Sequence, residues 1–361
     1  MFYFLHTFSD YHIVFNLFRY ITFRAAAASI SAFILCVWLG PYIIAGLRQI
    51  KVTAHQQREH APSIHPFFVH KKDVPTMGGI LIVASVVVSI LLWGNFENRF
   101  TLILLGVILW FGGVGFLDDY LKLRSKTSKG LDGMTKLAGQ VIAGLALGIY
   151  LYLDPEYPPY LYLPFLKESV LFLGILFIPF VMIVLSGSSN ALNLTDGLDG
   201  LAIGCTMFAA GAFSIISYVA GRFDTAAYLA IQHVEGAGEI AVFCAALVGA
   251  SAGFLWYNSY PAEVMMGDTG SLSLGGVLGT VAVLTKKEAV LVIVGGVFVW
   301  EALSVMLQVM SFKLFKRRIF LMSPFHHHLQ LKGWPESKVT VRLWIIAFIL
   351  AIAGLSTLKV R

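Results

Sequence analysis

Ten long apolar runs, almost free of charge, leave this chain few folds to choose from. They cover residues 25–47, 77–93, 100–117, 137–153, 170–185, 201–220, 240–256, 271–284, 289–312 and 343–358. Each is apolar all round, whereas a soluble helix bundle needs amphipathic stripes. A membrane span needs about 20 residues, so the shorter runs must extend into flanking polar sequence. Composition agrees: 58% of the 361 residues are hydrophobic and 13% charged, against about a quarter charged in a soluble domain. A membrane β-barrel would show short alternating strands instead. The expectation is an all-α integral membrane protein, a polytopic bundle of ten transmembrane helices forming one domain over 1–361. Residues 1–24, with their aromatics, Arg19 and Arg24, read as an interfacial lead-in. They lack the basic start and small-residue cleavage site of a signal peptide. The eighth run, flanked by Gly275, Gly276 and Gly279, is the weakest span.

Charge placement orients the bundle. Of the 26 lysines and arginines, 17 fall in the odd-numbered connections and 9 in the even-numbered connections and the termini, with none inside a span. Basic loops favour the cytoplasm, so the odd-numbered connections face inward. The net charge of +6 then reflects topology and membrane lipids, and nucleic acid is not an expected partner. Cys36, Cys205 and Cys244 lie in apolar runs without paired spacing, which speaks against disulfides and zinc.

The same parity gathers the polar clusters. Asp118-Asp119, the stretch from Asn190 to Asp199, the stretch from Asn258 to Ser271, and His326-His327-His328 follow spans three, five, seven and nine. All four therefore face the cytoplasm, as an active site there would require. Adjacent Asp118 and Asp119 repel unless a cation or a proton-transfer role offsets this; a solvated helix end is the plainer alternative. Carboxylates with substrate phosphates are the usual way to hold magnesium. Asn190, Asn193, Asp196 and Asp199 recur every three residues, which puts them on one face if the turn is helical. No basic residue in that stretch pairs with them. Asp268 stands between two glycines ahead of a span, where an N-cap is commonplace and an anion site equally suited. Three consecutive histidines point in different directions, so donors to phosphate or sugar fit better than a metal site. Lys71 and Thr76 before span two, and Lys136 at the start of span four, suit phosphate contacts or plain anchoring. Glu301 is the one acidic residue placed inside a span, where carboxylates are costly. A hydrogen bond to a neighbouring helix, a break in span nine and a functional role are all open.

Carboxylates, lysines and histidines at one membrane face, without a GxxxxGK[ST] loop, fit metal-assisted phosphoryl transfer to a lipid-borne group. The motifs go further. Pro75-Thr76-Met77-Gly78-Gly79, Asp118-Asp119, Asn193-Leu-Thr-Asp196-Gly-Leu-Asp199-Gly and Met266-Gly-Asp268-Thr-Gly-Ser resemble those of the polyprenyl-phosphate N-acetylhexosamine-1-phosphate transferase superfamily. His326-His327-His328 and Lys332-Gly333-Trp334-Pro335 resemble its muramoyl-pentapeptide branch, and the likeness covers nearly the whole chain.

The resemblance implies transfer of phospho-MurNAc-pentapeptide from UDP-MurNAc-pentapeptide to undecaprenyl phosphate, with release of UMP. The product would be the first lipid intermediate of peptidoglycan. It implies Mg2+ as cofactor, a homodimer, and a location in the bacterial cytoplasmic membrane. It makes Asp268 a magnesium ligand, with Asp196 as a second. Asp118 would be the base, beside Asp119. Asn193, Asp196, Asp199 and Asn258 would line the nucleotide site. Lys71, Thr76, Lys136 and Gln308 would surround the substrate, with His327 the favoured pyrophosphate contact among His326, His327 and His328. One-step and two-step routes both suit these residues, as does more than one division of labour among the aspartates. Two departures stand out: Asp73-Val74 where relatives often have Gly-Thr, and Met265 where an aromatic is common. A transferase for a UDP-N-acetylhexosamine without peptide is the neighbouring alternative. A lipid flippase or secondary transporter is the distant one, and it would place its polar sites near mid-bilayer.

Overall fold

The structure is a computed structural model and describes residues 1–49, 74–125, 130–164 and 170–359. All ten apolar segments contain helix. In chain order the helices are α1 (Ile21–Gln49), α2 (Gly79–Trp93), α3 (Arg99–Ser125), α4 (Gly133–Tyr152), α5 (Phe177–Thr195), α6 (Leu201–Ala220) and the short α7 (Phe223–Leu229). Then come α8 (Gly238–Asn258), α9 (Gly267–Leu284), α10 (Glu288–Val294), α11 (Gly296–Phe315), the short α12 (Phe325–Leu331) and α13 (Glu336–Ser356). Among the described residues, eight stretches are long and apolar enough to cross a membrane. The fold is thus mostly helical and polytopic, and α2, at 15 residues, is a shorter apolar helix. Two 3-10 turns, Phe2–Phe8 and Ile13–Arg19, form the lead-in and leave Phe8, Tyr11 and Ile13 exposed. Large apolar side chains such as Ile34, Trp38 and Ile345 also point outward, as a lipid-facing surface requires.

Helix α9 forms the centre. From Thr269 to Leu284 every residue is buried, packed chiefly against α3 and α5. This explains why the eighth segment reads as the weakest span: a helix sheltered from lipid needs small residues more than greasy ones. A Cβ at Gly275 would lie 2.5 Å from the Ser188 carbonyl of α5, and one at Gly276 2.7 Å from the Phe111 ring of α3. The second buried helix, α8, packs against α1 and α6.

Four boundaries differ from the sequence expectation. Helix α1 starts at Ile21, so Arg24 lies inside it. Arg24 is tolerated there because it pairs with Glu239 of α8 through two bonds of 2.5 and 2.8 Å, and donates to the Trp93 carbonyl at 3.2 Å. The fifth apolar run begins as a strand. Val170–Phe172 (β2) pairs antiparallel with Tyr160–Tyr162 (β1), Tyr160 opposite Phe172, and α5 starts only at Phe177 and runs on to Thr195. The ninth run is two helices, α10 and α11, broken at Gly295. Glu301 is not the cause of that break. Last, the three-residue rhythm of Asn190, Asn193, Asp196 and Asp199 is helical only as far as Thr195. The chain then turns through Gly197 to Gly200, whose φ of +73° is the left-handed region that favours glycine.

The two ends of the bundle carry different polar groups. One end holds Arg24–Glu239, Arg99–Asp154 at 2.5 Å, and the Tyr157 hydroxyl donating to the Val283 carbonyl. The other holds the ends of α3, α5 and α8 and the start of α9, where all four sequence clusters meet.

Candidate active site

The site is built where α3 runs into the start of α9. Gly115 makes the approach possible, since a Cβ there would lie 2.2 Å from the Asp268 carbonyl oxygen. One turn later come Asp118 and Asp119, each 1% exposed. Asp119 acts as an anchor. Its Oδ2 accepts from the Thr269 amide at 2.9 Å and the Thr269 hydroxyl at 2.8 Å, and its Oδ1 accepts from the Asp268 amide at 3.3 Å. The two amides are orphan donors of a helix N-terminus, which a carboxylate satisfies well. The turn into α9 passes through Gly267 at φ +74°, where a Cβ would meet Asp119 Oδ2 at 2.9 Å and Thr76 Oγ1 at 3.0 Å. Thr76 is placed there by a strand-like pairing. The Met265 amide donates to the Pro75 carbonyl at 2.8 Å, and the Gly78 amide donates back to the Met265 carbonyl at 2.9 Å.

Asp268 faces two ammonium groups. Lys122 Nζ lies 2.9 Å from its Oδ2 and 2.5 Å from Asp118 Oδ2. Lys136, in the first turn of α4, lies 2.6 Å and 3.1 Å from the same two oxygens. Asn193 of α5 donates to Asp268 Oδ1 at 2.7 Å and to Ser271 Oγ at 2.8 Å. Asp118 Oδ1 accepts from the Leu131 amide at 2.8 Å. Four helices thus converge on one charged cluster. Oxygens of Asp118, Asp119 and Asp268 come within 4.8 Å of one another, the one such group of potential metal ligands among the described residues. An all-oxygen donor set suits a hard divalent cation. Lys122 was missed in the sequence, although its spacing of four from Asp118 on a helix was a readable signal.

Other expected residues stand elsewhere. Asp196 is partly exposed and outside the carboxylate group. Asp199 is buried and bolts the loop: its carboxylate accepts from the Ala262 amide at 3.1 Å, and its amide donates to Glu336 at 2.8 Å. Asn258 likewise ties the Gly200 amide to the Val264 carbonyl. Gln308 holds the 319–320 turn through Ile319 and Phe320 backbone groups. The three histidines diverge as expected. His326 pairs with Glu301, the His327 ring meets Gln330 at 2.8 Å, and His328 Nδ1 accepts from the Leu321 amide at 3.1 Å. Burial, and then Lys332, hold the His328 imidazole below its ordinary pKa, as suits a neutral ring accepting a hydrogen bond. Lys71 lies outside the described residues.

Known sequences decide the family. The sequence model of glycosyl transferase family 4 matches residues 101–286, which include all three aspartates, both lysines and Asn193. The chain is 50% identical to the phospho-N-acetylmuramoyl-pentapeptide-transferase of Granulibacter bethesdensis, over 99% of this chain and 98% of that protein. The proteins of that name from Geobacter sp. strain M21 (52%, covering 98% and 97%) and Thermodesulfovibrio yellowstonii (49%, covering 99% of each) are equally similar in extent. The chain belongs to the phospho-N-acetylmuramoyl-pentapeptide-transferases of glycosyl transferase family 4. It is therefore an enzyme of the transferase class, and the cluster at the α3–α9 junction is its candidate centre. The matches cover 97–99% of these relatives and so reach well beyond the family 4 region.

Proposed function

We propose that the chain transfers phospho-N-acetylmuramoyl-pentapeptide from UDP to undecaprenyl phosphate, releasing UMP and forming the first lipid intermediate of peptidoglycan. The observation that carries the reading is the convergence of Asp118, Asp119 and Asp268 with Lys122 and Lys136 at one end of the bundle. It occurs in a chain about half identical to transferases of that name.

The residues divide the work by what already occupies them. Both Asp119 oxygens are spent on the start of α9, so Asp119 positions rather than reacts. Asp118 keeps Oδ2 clear of backbone and is the group we assign to take the proton of the lipid phosphate. Two ammonium groups lie within 3.1 Å of that oxygen, and direct attack by the lipid phosphate is the route that a base at Asp118 implies. Lys122 and Lys136 stand ready to take up phosphate charge. Magnesium is the cation the carboxylates suit: Asp118 and Asp268, beside the anchored Asp119, would hold it. When bound, it supplies charge stabilisation to the donor pyrophosphate.

An apolar groove of about 240 Å³ opens between α5, α9, α10 and α11, lined by Ser188, Ala191, Leu192, Gly275, Leu278 and Phe298 among others. Leu192 precedes Asn193, so one end of the groove adjoins the charged cluster, and a prenyl chain fits its lining. We take α1 to α6, α8, α9, the broken pair α10–α11 and α13 as ten crossings. The bias of lysine and arginine toward the loops at the cluster's end supports a site on the cytoplasmic side of the bacterial inner membrane. The test is UMP release by purified protein with undecaprenyl phosphate and magnesium, offered UDP-MurNAc-pentapeptide or UDP-N-acetylglucosamine in parallel. Turnover of the first donor is expected. Turnover of the second alone would refute the peptide-bearing substrate, and turnover of neither by folded protein would refute the reading.

A further inference from the structure

Glu301 sits near the start of α11 with its side chain fully buried. A carboxylate inside a membrane bundle is costly unless something holds it. Its holder comes from α12. The His326 amide donates to Glu301 Oε2 at 3.3 Å, and His326 Nδ1 lies 3.2 Å from the same oxygen. The imidazole is fully buried too, and its far edge rests on the loop after α5. A Cβ at Gly197 would lie 2.1 Å from His326 Nε2 and 2.7 Å from Cε1. The ring is therefore wedged between Glu301 and the backbone that links Asn193 to Asp199. The other side of that loop is already bolted, by Glu336 to the Asp199 amide and by Asn258 to the Gly200 amide. Glu301 Oε1 and both ring nitrogens of His326 have no hydrogen-bond partner among the described residues, so the backbone amide of His326 makes the one hydrogen bond between the two residues. Buried orphan atoms are expensive, and a well-packed apolar pair would serve stability better. The arrangement makes sense as a placement device.

We propose that Glu301 is a positioning residue for the transfer reaction. Acting through His326, it sets the backbone at Gly197 and so the stance of Asn193, whose amide reaches Asp268. Binding of the nucleotide-linked donor depends on that stance. The inference rests on the function proposed above.

The test uses the full chain in lipid nanodiscs: a cycle of four proteins (wild type, Glu301→Ala, His326→Ala and the double variant), with Glu301→Gln and Gly197→Ala beside it. Glu301→Ala is expected to raise the donor KM roughly tenfold or more, because small misplacements around a reacting centre are amplified, while the acceptor KM changes little. The double variant is expected to be no worse than the worse single variant, since both substitutions cut the same link. Glu301→Gln, whose amide oxygen still accepts from the His326 amide, is expected to restore most of the donor affinity. Gly197→Ala, which pushes the ring from the other side, is expected to reproduce the KM defect. An unchanged donor KM in Glu301→Ala, or additive losses in the double variant, would overturn the proposal. Wild-type protein inactive on the donor would instead refute the functional reading. The pair would then be read by a melting-temperature cycle of the same four proteins, in which additivity would overturn it.

Discussion

Asp119→Asn separates an anchor from a reacting group. Asp119 is buried and accepts three hydrogen bonds at the start of α9, two of them at 2.9 and 2.8 Å. An asparagine keeps one acceptor oxygen and turns the other into a donor facing an N–H group. Placed at the Oδ2 position, the amide oxygen keeps both Thr269 donors; the Asp268 amide bond is lost, a cost of about 1.5–3 kcal/mol, and the two kept bonds fall from charged to neutral strength, about 1 kcal/mol each. Counting the lost charge at a helix N-terminus as a minor addition, the cost is about 3–5 kcal/mol. In a chain of this size a change of 1 kcal/mol shifts the melting temperature by about 2 °C, so the expected fall is about 6–10 °C. Fluorescence-detected thermal unfolding in detergent reads it directly. Asp268→Asn is the control. An asparagine at 268 keeps an acceptor for Asn193, and Lys122 and Lys136 keep Asp118, so the variant's melting temperature should fall by less than half as much as that of Asp119→Asn. An Asp119→Asn protein that melts with wild type yet turns over nothing would refute the anchoring role and make Asp119 a reacting group.

Three further outcomes follow from the geometry. Arg24→Met strands Glu239 at the far end of the bundle, where breaking a buried pair costs about 3–5 kcal/mol; thermal unfolding should show the loss while both substrate KM values hold. Ala191→Trp fills the apolar groove, so steady-state kinetics should show a higher KM for the polyprenyl acceptor and an unchanged KM for the donor. Gly267→Ala forces a side chain into a left-handed turn 2.9 Å from Asp119 Oδ2; kcat should fall by about tenfold or more, since Asp268 follows directly.

Much of this was legible in the sequence because the membrane simplifies the problem. Apolar runs had to be helices, and counting them assigned Asp118, Asn193, Asp268 and His326 to one end, where the structure gathers them. What failed did so for local reasons. Residues 170–172 are apolar like the helix that follows, and composition alone does not tell a short strand from a helix start. The rhythm from Asn190 to Asp199 looked like one helical face until Gly197 and Gly200 turned the chain. Asp199 and Asn258 have the chemistry of site residues but spend it on backbone amides, which only coordinates reveal. Arg24 reads from the sequence as outside the first span because its partner, Glu239, is 215 positions away. For the same reason Glu301 could be singled out while His326 could not be named as its partner.

The most direct measurement is lipid-dependent UMP release by Asp268→Asn beside wild type, each with magnesium and with EDTA. Wild type should release UMP only when magnesium and undecaprenyl phosphate are both present, and the variant, folded, should release none above background. Release by the variant at the wild-type rate would contradict the claim that the chemistry takes place where α3 meets α9.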